Sequence, residues 1–235
     1  MGTVDVARAK QRDLHRDAIA DALRDRIISG QIGQGERLRE ELLAEEFGVS
    51  RVPIREALSR LESEGFLTIV PFRGASVSEN SEADVFEHMQ IRRGLEVLAA
   101  QLAARNRGGE VREDLKAIVQ RGFEAAQDNQ LEELPDISIE FHRLVYAASG
   151  NERLRQMLET LLKRISWGFR LDLKYQVSTA WSDHATIAAA ILEGSPVQAG
   201  HLMNEHVAKD EERYRQLSAK AHSSDRADVS MSYNG

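Results

Sequence analysis

The chain has 235 residues, 42% of them hydrophobic and 29% charged, which is enough apolar mass for one large or two ordinary folded domains. Its 31 Lys and Arg against 38 Asp and Glu leave a formal net charge of −7, divided as 12 against 14 over residues 1–80 and 19 against 24 over residues 81–235. Contact with nucleic acid therefore has to come from a local patch and not from a basic domain. The absence of cysteine excludes disulfides and thiolate metal sites, no apolar run approaches the roughly 20 residues of a membrane span, and the start MGTVDVARAKQRDLHRD is too charged for a secretory signal, so a cytoplasmic setting is expected.

Residues 1–13 are polar without an apolar stripe and read as a flexible arm. From Leu14 to Ser29 the four-residue spacing of Ile19, Leu23 and Ile27 predicts a helix that stops at Gly30. The glycine-rich loop GQIGQGE leads to a second, short helix with Leu42, Leu43 and Phe47 on its apolar side. A turn at Gly48 follows, then a third helix with Ser50 as N-cap, Pro53 in the first turn and an apolar stripe of Ile54, Leu58 and Leu61. Two helices joined by a short glycine-containing turn make a helix-turn-helix. Arg51 and Arg55, one turn apart and off the stripe, stand where a recognition helix presents side chains to DNA. The period then changes. FLTIV (66–70) is β-branched and aromatic, PFRG (71–74) is a turn, and ASV (75–77) returns as a short strand, which completes a winged layout with Arg73 and Gly74 at the hairpin tip.

From Ser81 onward no strand pattern appears. Helices are predicted near 81–105, 110–128, 134–149, 151–172, 178–193 and 196–220, separated by NRGG (106–109), Pro135, Ser149-Gly150-Asn151, a polar turn near 176–178 and Gly194-Ser195-Pro196. The first of them has Val85, Met89, Leu95, Leu98, Ala99 and Leu102 on its apolar side. Residues 222–235 read as a disordered tail. The fold class is mainly α: a winged helix-turn-helix over 14–78, followed by an all-α bundle of six helices over 81–221.

The elements GERL (35–38), LAEEFGVSR (43–51), PIREAL (53–58), LESEGFL (61–67) and PFRGASV (71–77) resemble, in order, the N-terminal domain of the GntR family of bacterial transcription regulators. That resemblance implies a homodimer on a double-stranded DNA operator, with the second motif helix in the major groove and the wing tip at the minor groove. On the same grounds the DNA contacts fall to Arg39, Ser50, Arg51, Val52, Pro53, Arg55, Arg73 and Gly74. Arginine suits the task because its planar fork binds a guanine edge or a phosphate in a bidentate way. One position departs from the pattern: Glu41, beside Glu40, stands where many members carry a DNA-contacting arginine, which implies an altered operator preference.

Residues 81–220 resemble the FCD effector domain of the FadR-like branch of that family, in its shorter VanR-like form, through IRRGLEVLAAQLAA (91–104), FHRLVYAASGNERL (141–154), HATIAAAILEG (184–194) and His206. Of the seven histidines, His142, His184 and His206 lie on three different predicted helices that each carry an apolar side. Three imidazoles meeting in a bundle core suit a divalent transition metal. The resemblance implies that these three hold zinc, nickel or a similar ion. Similar domains add an Asp one turn before the first His, and here that position is Ser138. Asp136 stands about 120° around the helix from His142 and is a poor substitute. A metal held by three neutral imidazoles keeps its full charge, so water or an effector carboxylate would complete the shell. Arg92 matches an arginine that faces the ligand cavity in similar proteins and would clamp a carboxylate; an ordinary salt bridge with a helix neighbour is the alternative. His15, His88, His201 and His222 read as non-ligands, and Trp167, Phe169, Tyr175 and Trp181 as packing residues.

The expected function is a DNA-binding transcription regulator, a repressor by preference, controlled by a small organic acid bound near the metal. One rival keeps the DNA role with a vestigial, metal-free pocket for an apolar or acyl ligand. The other is a metal-dependent helical enzyme, against which stands the absence of HExxH, of a phosphate-binding glycine loop and of a nucleophile elbow.

Overall fold

The computed structural model describes the backbone of residues 2–130, 132–168 and 177–231, and the side chains of residues 16–130, 132–168 and 181–216. Among the described residues there are nine α-helices and three short strands, in two units. In chain order they are α1 (Gly2–Ser29), β1 (Arg37–Leu38), α2 (Glu40–Glu46), α3 (Arg51–Ser63), β2 (Leu67–Val70), β3 (Gly74–Val77), α4 (Glu82–Arg105), α5 (Arg112–Gln127), α6 (Leu134–Ala148), α7 (Glu152–Gly168), α8 (Val177–Glu193) and α9 (Pro196–Met231).

In the first unit the stripe of Ile19, Leu23 and Ile27 on α1 is buried against Ile54, Ala57, Leu58 and Leu61 of α3, with Phe66, Leu67, Ala75 and Val77 of the sheet closing the core. Ion pairs fasten the same two helices. Arg24 Nε donates to Glu64 Oε2 at 2.7 Å, and Arg60 Nη1 to Asp17 Oδ1 at 2.6 Å. Gly48, at φ +63°, makes the turn between α2 and α3, a left-handed conformation that glycine adopts without a Cβ clash. Leu43 is buried in α2, but Leu42 is 58% exposed: adjacent residues on a helix stand 100° apart, and a seven-residue helix packed on one side has room for one of them inside.

The sheet is antiparallel in the order β1-β3-β2, so the segment around GERL contributes a two-residue strand that alternation alone did not disclose. Val70 pairs with Gly74, which leaves Pro71, Phe72 and Arg73 as the tip, closed by Arg73 N donating to Val70 O at 3.0 Å. Proline in the second turn position and φ +65° at Phe72 in the third make this a type II pattern, whose third position favours Gly or Asn. Holding a bulky L-residue there costs about 1–2 kcal/mol.

Helices α4 to α9 enclose the second core, in which Leu115, Leu134, Phe141, Val145, Tyr146, Leu158, Ile187, Ile191 and Met203 are buried. Helix ends are satisfied by side chains: Asn106 Nδ2 donates to the carbonyls of Ala148 and Ser149 at the end of α6, and Arg112 Nη1 to that of Leu192 in α8. Trp181 is buried in this core and donates to Val119 O at 3.0 Å. Trp167, near the end of α7, is buried in the core of the first unit, with its ring centroid 5.3 Å from that of Phe66. Phe169 and Tyr175 lie outside the described residues.

Two boundaries differ from the sequence expectation. Helix α1 begins at Gly2, so residues 2–13 are helical where an arm was expected, and α9 runs to Met231, through most of the expected tail. Residues 3–29 of α1 contain neither proline nor glycine, and neither do residues 201–231 of α9, so nothing interrupts the backbone pattern of the packed turns.

The closest steric constraint lies at Gly122 in α5, where an added Cβ would stand 1.7 Å from the ring of Trp181. Gly122→Ala gains about 1 kcal/mol of helix propensity. The clash with a rigid buried indole outweighs that gain, and chemical denaturation is expected to show a net loss of about 1–3 kcal/mol.

Candidate functional site

The first unit offers a polar face at the start of α3. Ser50 is extended (φ −74°, ψ 167°) at the N-cap, is exposed, and makes no side-chain capping bond. Arg51, Val52 and Arg55 are exposed on the first turns, Arg39 is exposed at the N-cap of α2, and Arg73 and Gly74 are exposed at the hairpin tip. Pro53 differs from its expected role as a contact: it is buried one turn before Ala57 on the inward stripe, so it sets the helix start instead of offering a surface.

The arginines on this face are already engaged. Arg55 donates to both oxygens of Glu40, at 3.1 and 2.8 Å, and Arg51 pairs with Glu41. Hydrogen bonding from Arg55 holds the Glu40 carboxyl below the usual carboxylate range, and the same bond pushes Arg55 up. These are solvent-exposed pairs, of the kind that exchange readily for another anion.

The second unit brings three histidines together. On α6, Ser138, His142 and Tyr146 follow at four-residue spacing; α8 supplies His184 and α9 His206. All three histidines are buried and each offers a ligand nitrogen to one point. His206 Nε2 stands 3.3 Å from His142 Nε2 and 3.2 Å from His184 Nε2. Three nitrogens each about 2.0–2.1 Å from one tetrahedral zinc would stand about 3.3–3.4 Å apart. The donor set therefore fits such an ion; at the position where similar domains carry Asp, Ser138 is half-buried with a neutral hydroxyl, and Asp136 is exposed.

Carboxylates approach this cluster from outside. Glu96 of α4 is fully buried, and its Oε2 lies 3.2 Å from His142 Nδ1. Its other oxygen accepts from Arg92 Nε at 2.9 Å and from the Tyr146 hydroxyl. Asp183 Oδ2 lies 3.6 Å from His206 Nδ1 and also pairs with Lys209. Each carboxylate thus stands at the Nδ1 side of its ring, opposite the Nε2 atoms that meet, and Asp183 does so beyond hydrogen-bond distance. Arg92 is buried, with Nη1 3.4 Å from Asp210 and Nη2 3.4 Å from His142 Nε2.

The electrostatics follow from burial. Burial opposes the Arg92 charge, but Glu96 and Asp210 more than offset it, and Arg92 titrates above the ordinary arginine range. Burial likewise raises Glu96, and Arg92 with His142 reverses the effect and holds it well below the carboxylate range. Burial, assisted by the neighbouring histidines, pushes His184 well down; burial carries His206 to about 4. Both imidazoles are therefore neutral near pH 7, the form that ligates metal.

Thus the structure brings together His142, His184, His206 and Arg92. It puts Ser138 one turn from His142, and assembles Arg39, Ser50, Arg51, Val52, Arg55, Arg73 and Gly74 on exposed parts of the first unit. His201 is exposed beside Glu205, away from the buried side of α9 that carries His206, and the side chains of His15 and His222 lie outside the described residues. Sequence reasoning missed Glu96, Tyr146, Asp183 and Asp210. A usable signal existed for Glu96: it falls on the buried line Val85, Met89, Arg92, Glu96, Ala99 of α4.

Comparison with known proteins assigns a family to each unit. Residues 15–77 match the model of the bacterial regulatory proteins of the gntR family, and residues 87–209 match the FCD domain. The chain is 31% identical to the HTH-type transcriptional repressor GlaR of Escherichia coli (strain K12), over 79% of this chain and 89% of GlaR. It is 32% identical to the Nta operon transcriptional regulator of Aminobacter aminovorans, over 62% and 69% respectively. Among solved structures, E. coli McbR/YncC shares the fold with a TM-score of 0.70 and 23% identity, covering 86% of this chain and 97% of that one.

A pH dependence follows for metal-free protein. His184 and His206 are held below the ordinary value of 6.5, His206 at about 4, so between these values the unfolded chain binds more protons than the folded one. Stability should be level above about pH 7 and should fall as pH drops from about 6.5 towards about 4. Urea unfolding of chelator-treated protein at pH 7.5 and pH 5 checks this; His206→Leu is expected to flatten the slope.

Proposed function

The chain belongs to the GntR family of bacterial regulatory proteins and carries an FCD domain, and from that membership we propose that it is a metal-containing repressor released from its operator by a small organic acid. Transcription regulation itself is the family's role, and the domains and relatives of this chain are regulators, not enzymes.

In this reading a homodimer places two copies of α3 in successive major grooves of a palindromic operator. Arg51 and Arg55 leave Glu41 and Glu40 for guanine edges or phosphates, Val52 meets a base, and Ser50 with the free N–H groups at the helix start holds a phosphate. The Arg39 guanidinium, Arg73 and the Gly74 backbone lie against the sugar-phosphate frame on either side. Because the surroundings are acidic, a few placed contacts and their doubling by dimerisation supply the affinity.

The observation that carries the control function is the meeting of three histidine Nε2 atoms beside the buried Arg92. A zinc or nickel ion bound there would act as a Lewis acid that attracts an anionic oxygen. In this reading Glu96 stands behind His142, Ser138 leaves the ion its full charge, and Arg92, which the structure pairs with its helix neighbour Glu96 and with Asp210, would turn part of its guanidinium to the carboxylate. The acid must bind the DNA-free arrangement better than the DNA-bound one for release to follow.

Arg55→Ala is expected to lower operator affinity by about 1–3 kcal/mol per half-site in a gel-shift assay, with metal content and helicity unchanged. An unaltered affinity removes Arg55 from the reading face. Metal analysis of purified protein should find close to one transition-metal ion per chain, lost in His142→Ala. Small carboxylic acids should then release the operator from the loaded protein and not from His142→Ala. A metal-free protein that releases DNA on binding an acyl ligand would instead establish a vestigial metal site.

A further inference from the structure

Phe72, at the tip of the β2–β3 hairpin, is fully exposed, at 109% of the reference accessibility. It is also the bulky residue in the turn position that favours Gly or Asn, with φ +65°. Neither packing nor backbone geometry thus favours an aromatic ring here, and the first unit would fold better without it. The tip itself is firmly placed. Ala75 and Val77 of β3 are buried, and Ile69 N donates to Glu62 Oε1 of α3 at 3.2 Å, which ties the hairpin to the helix that begins with Arg51 and Arg55. Beside Phe72 stand the half-exposed Val70 and the cation of Arg73.

We propose that Phe72 is an apolar wedge that enters the minor groove of the operator and partly unstacks one base step. The inference rests on the DNA-binding reading and adds a specificity determinant to it. The occupant is duplex DNA because the exposed tip, with the cation of Arg73 beside the ring, belongs to the same unit as the exposed arginines of α3 and is held to that helix through Glu62. A minor groove about 6 Å wide admits a single side chain from a hairpin tip where it excludes a helix. Arg73 next to the ring supplies a phosphate partner, and apolar side chains inserted between base pairs kink the duplex there. The cost of insertion is least at TA and CA/TG steps, so Phe72 would read deformability at a position where no hydrogen bond to a base is made.

The test uses the full-length protein and an operator selected with it from random duplexes, carrying 2-aminopurine at successive positions. Wild type should raise the fluorescence of the probe at one step in each half-site, and Phe72→Ala should abolish that rise. Phe72→Ala should also weaken binding roughly 5- to 150-fold, the range of aromatic–base stacking. The slope of log affinity against log salt should stay as in wild type, whereas Arg73→Ala should lower it by about 0.9. Phe72→Asn should weaken binding similarly while raising the thermal midpoint by about 2–4 °C, since it relieves the turn. Selection of no operator by wild type would overturn the DNA reading and the wedge with it. Operator binding by wild type with unchanged affinity and fluorescence in Phe72→Ala would overturn the wedge alone. So would a lowered midpoint in Phe72→Asn, or a change in self-association without DNA, which would assign the ring to the fold or to a second copy.

Discussion

The ion pair between Arg92 and Glu96, buried in the helical unit, is the constraint on which the rest of that unit depends. A charge taken out of water is tolerated only when its partners replace the solvent. Here Glu96 accepts from Arg92 and from Tyr146 and stands against His142, while Arg92 reaches across to Asp210. One carboxylate thus fixes α4 to α6, and its guanidinium partner fixes α4 to α9. Removing one member of such a pair generally costs about 3–5 kcal/mol, because the other charge is left buried alone. The arrangement that holds the bundle also points the imidazole of His142 inward, so the structural and the ligand-binding demands on Glu96 coincide.

The two units solve opposite electrostatic problems. In the helical unit charges are buried and their geometry is held by low-dielectric surroundings, which makes each contact strong and specific. On the face of α3 they are exposed, engaged by Glu40 and Glu41, and free to exchange. An acidic frame around a few arginines suppresses binding to arbitrary DNA, since the phosphate attraction common to all sequences is offset by repulsion. What remains is the part of the interaction that depends on placement. In the proposed reading Glu41, paired with Arg51, takes part in that discrimination together with the arginines.

Much of the fold was legible because it follows from spacing. Ile19, Leu23 and Ile27 mark the inner side of α1, and the change of period at FLTIV marks the sheet. The three histidines were legible as candidates because each lies on a helix with an apolar side and because the resemblance to the FCD domain singles them out, although only packing could show that their Nε2 atoms meet. Glu96 was not legible by the ordinary rule, since a charged residue in a helix is usually solvated; its place on the line of Val85, Met89 and Ala99 was the overlooked sign. Leu42 and Leu98 were read as inward and are exposed, because periodicity locates a stripe without setting its width. The extents of α1 and α9 were missed for a related reason: a helix can continue past its packed turns where no residue breaks it. Trp167 shows the limit most plainly, since an apolar stripe on α7 says nothing about which core its last turn joins.

The central claim is that His142, His184 and His206 form one transition-metal centre in the protein as the cell makes it. X-ray absorption at the edge of the co-purifying metal tests it most directly. The account predicts about three imidazole nitrogens at roughly 2.0–2.1 Å, with the remaining shell made of oxygen that changes when a carboxylic acid is added. A shell of oxygen without imidazole scattering, or protein that carries no transition metal and binds none on reloading, would contradict it.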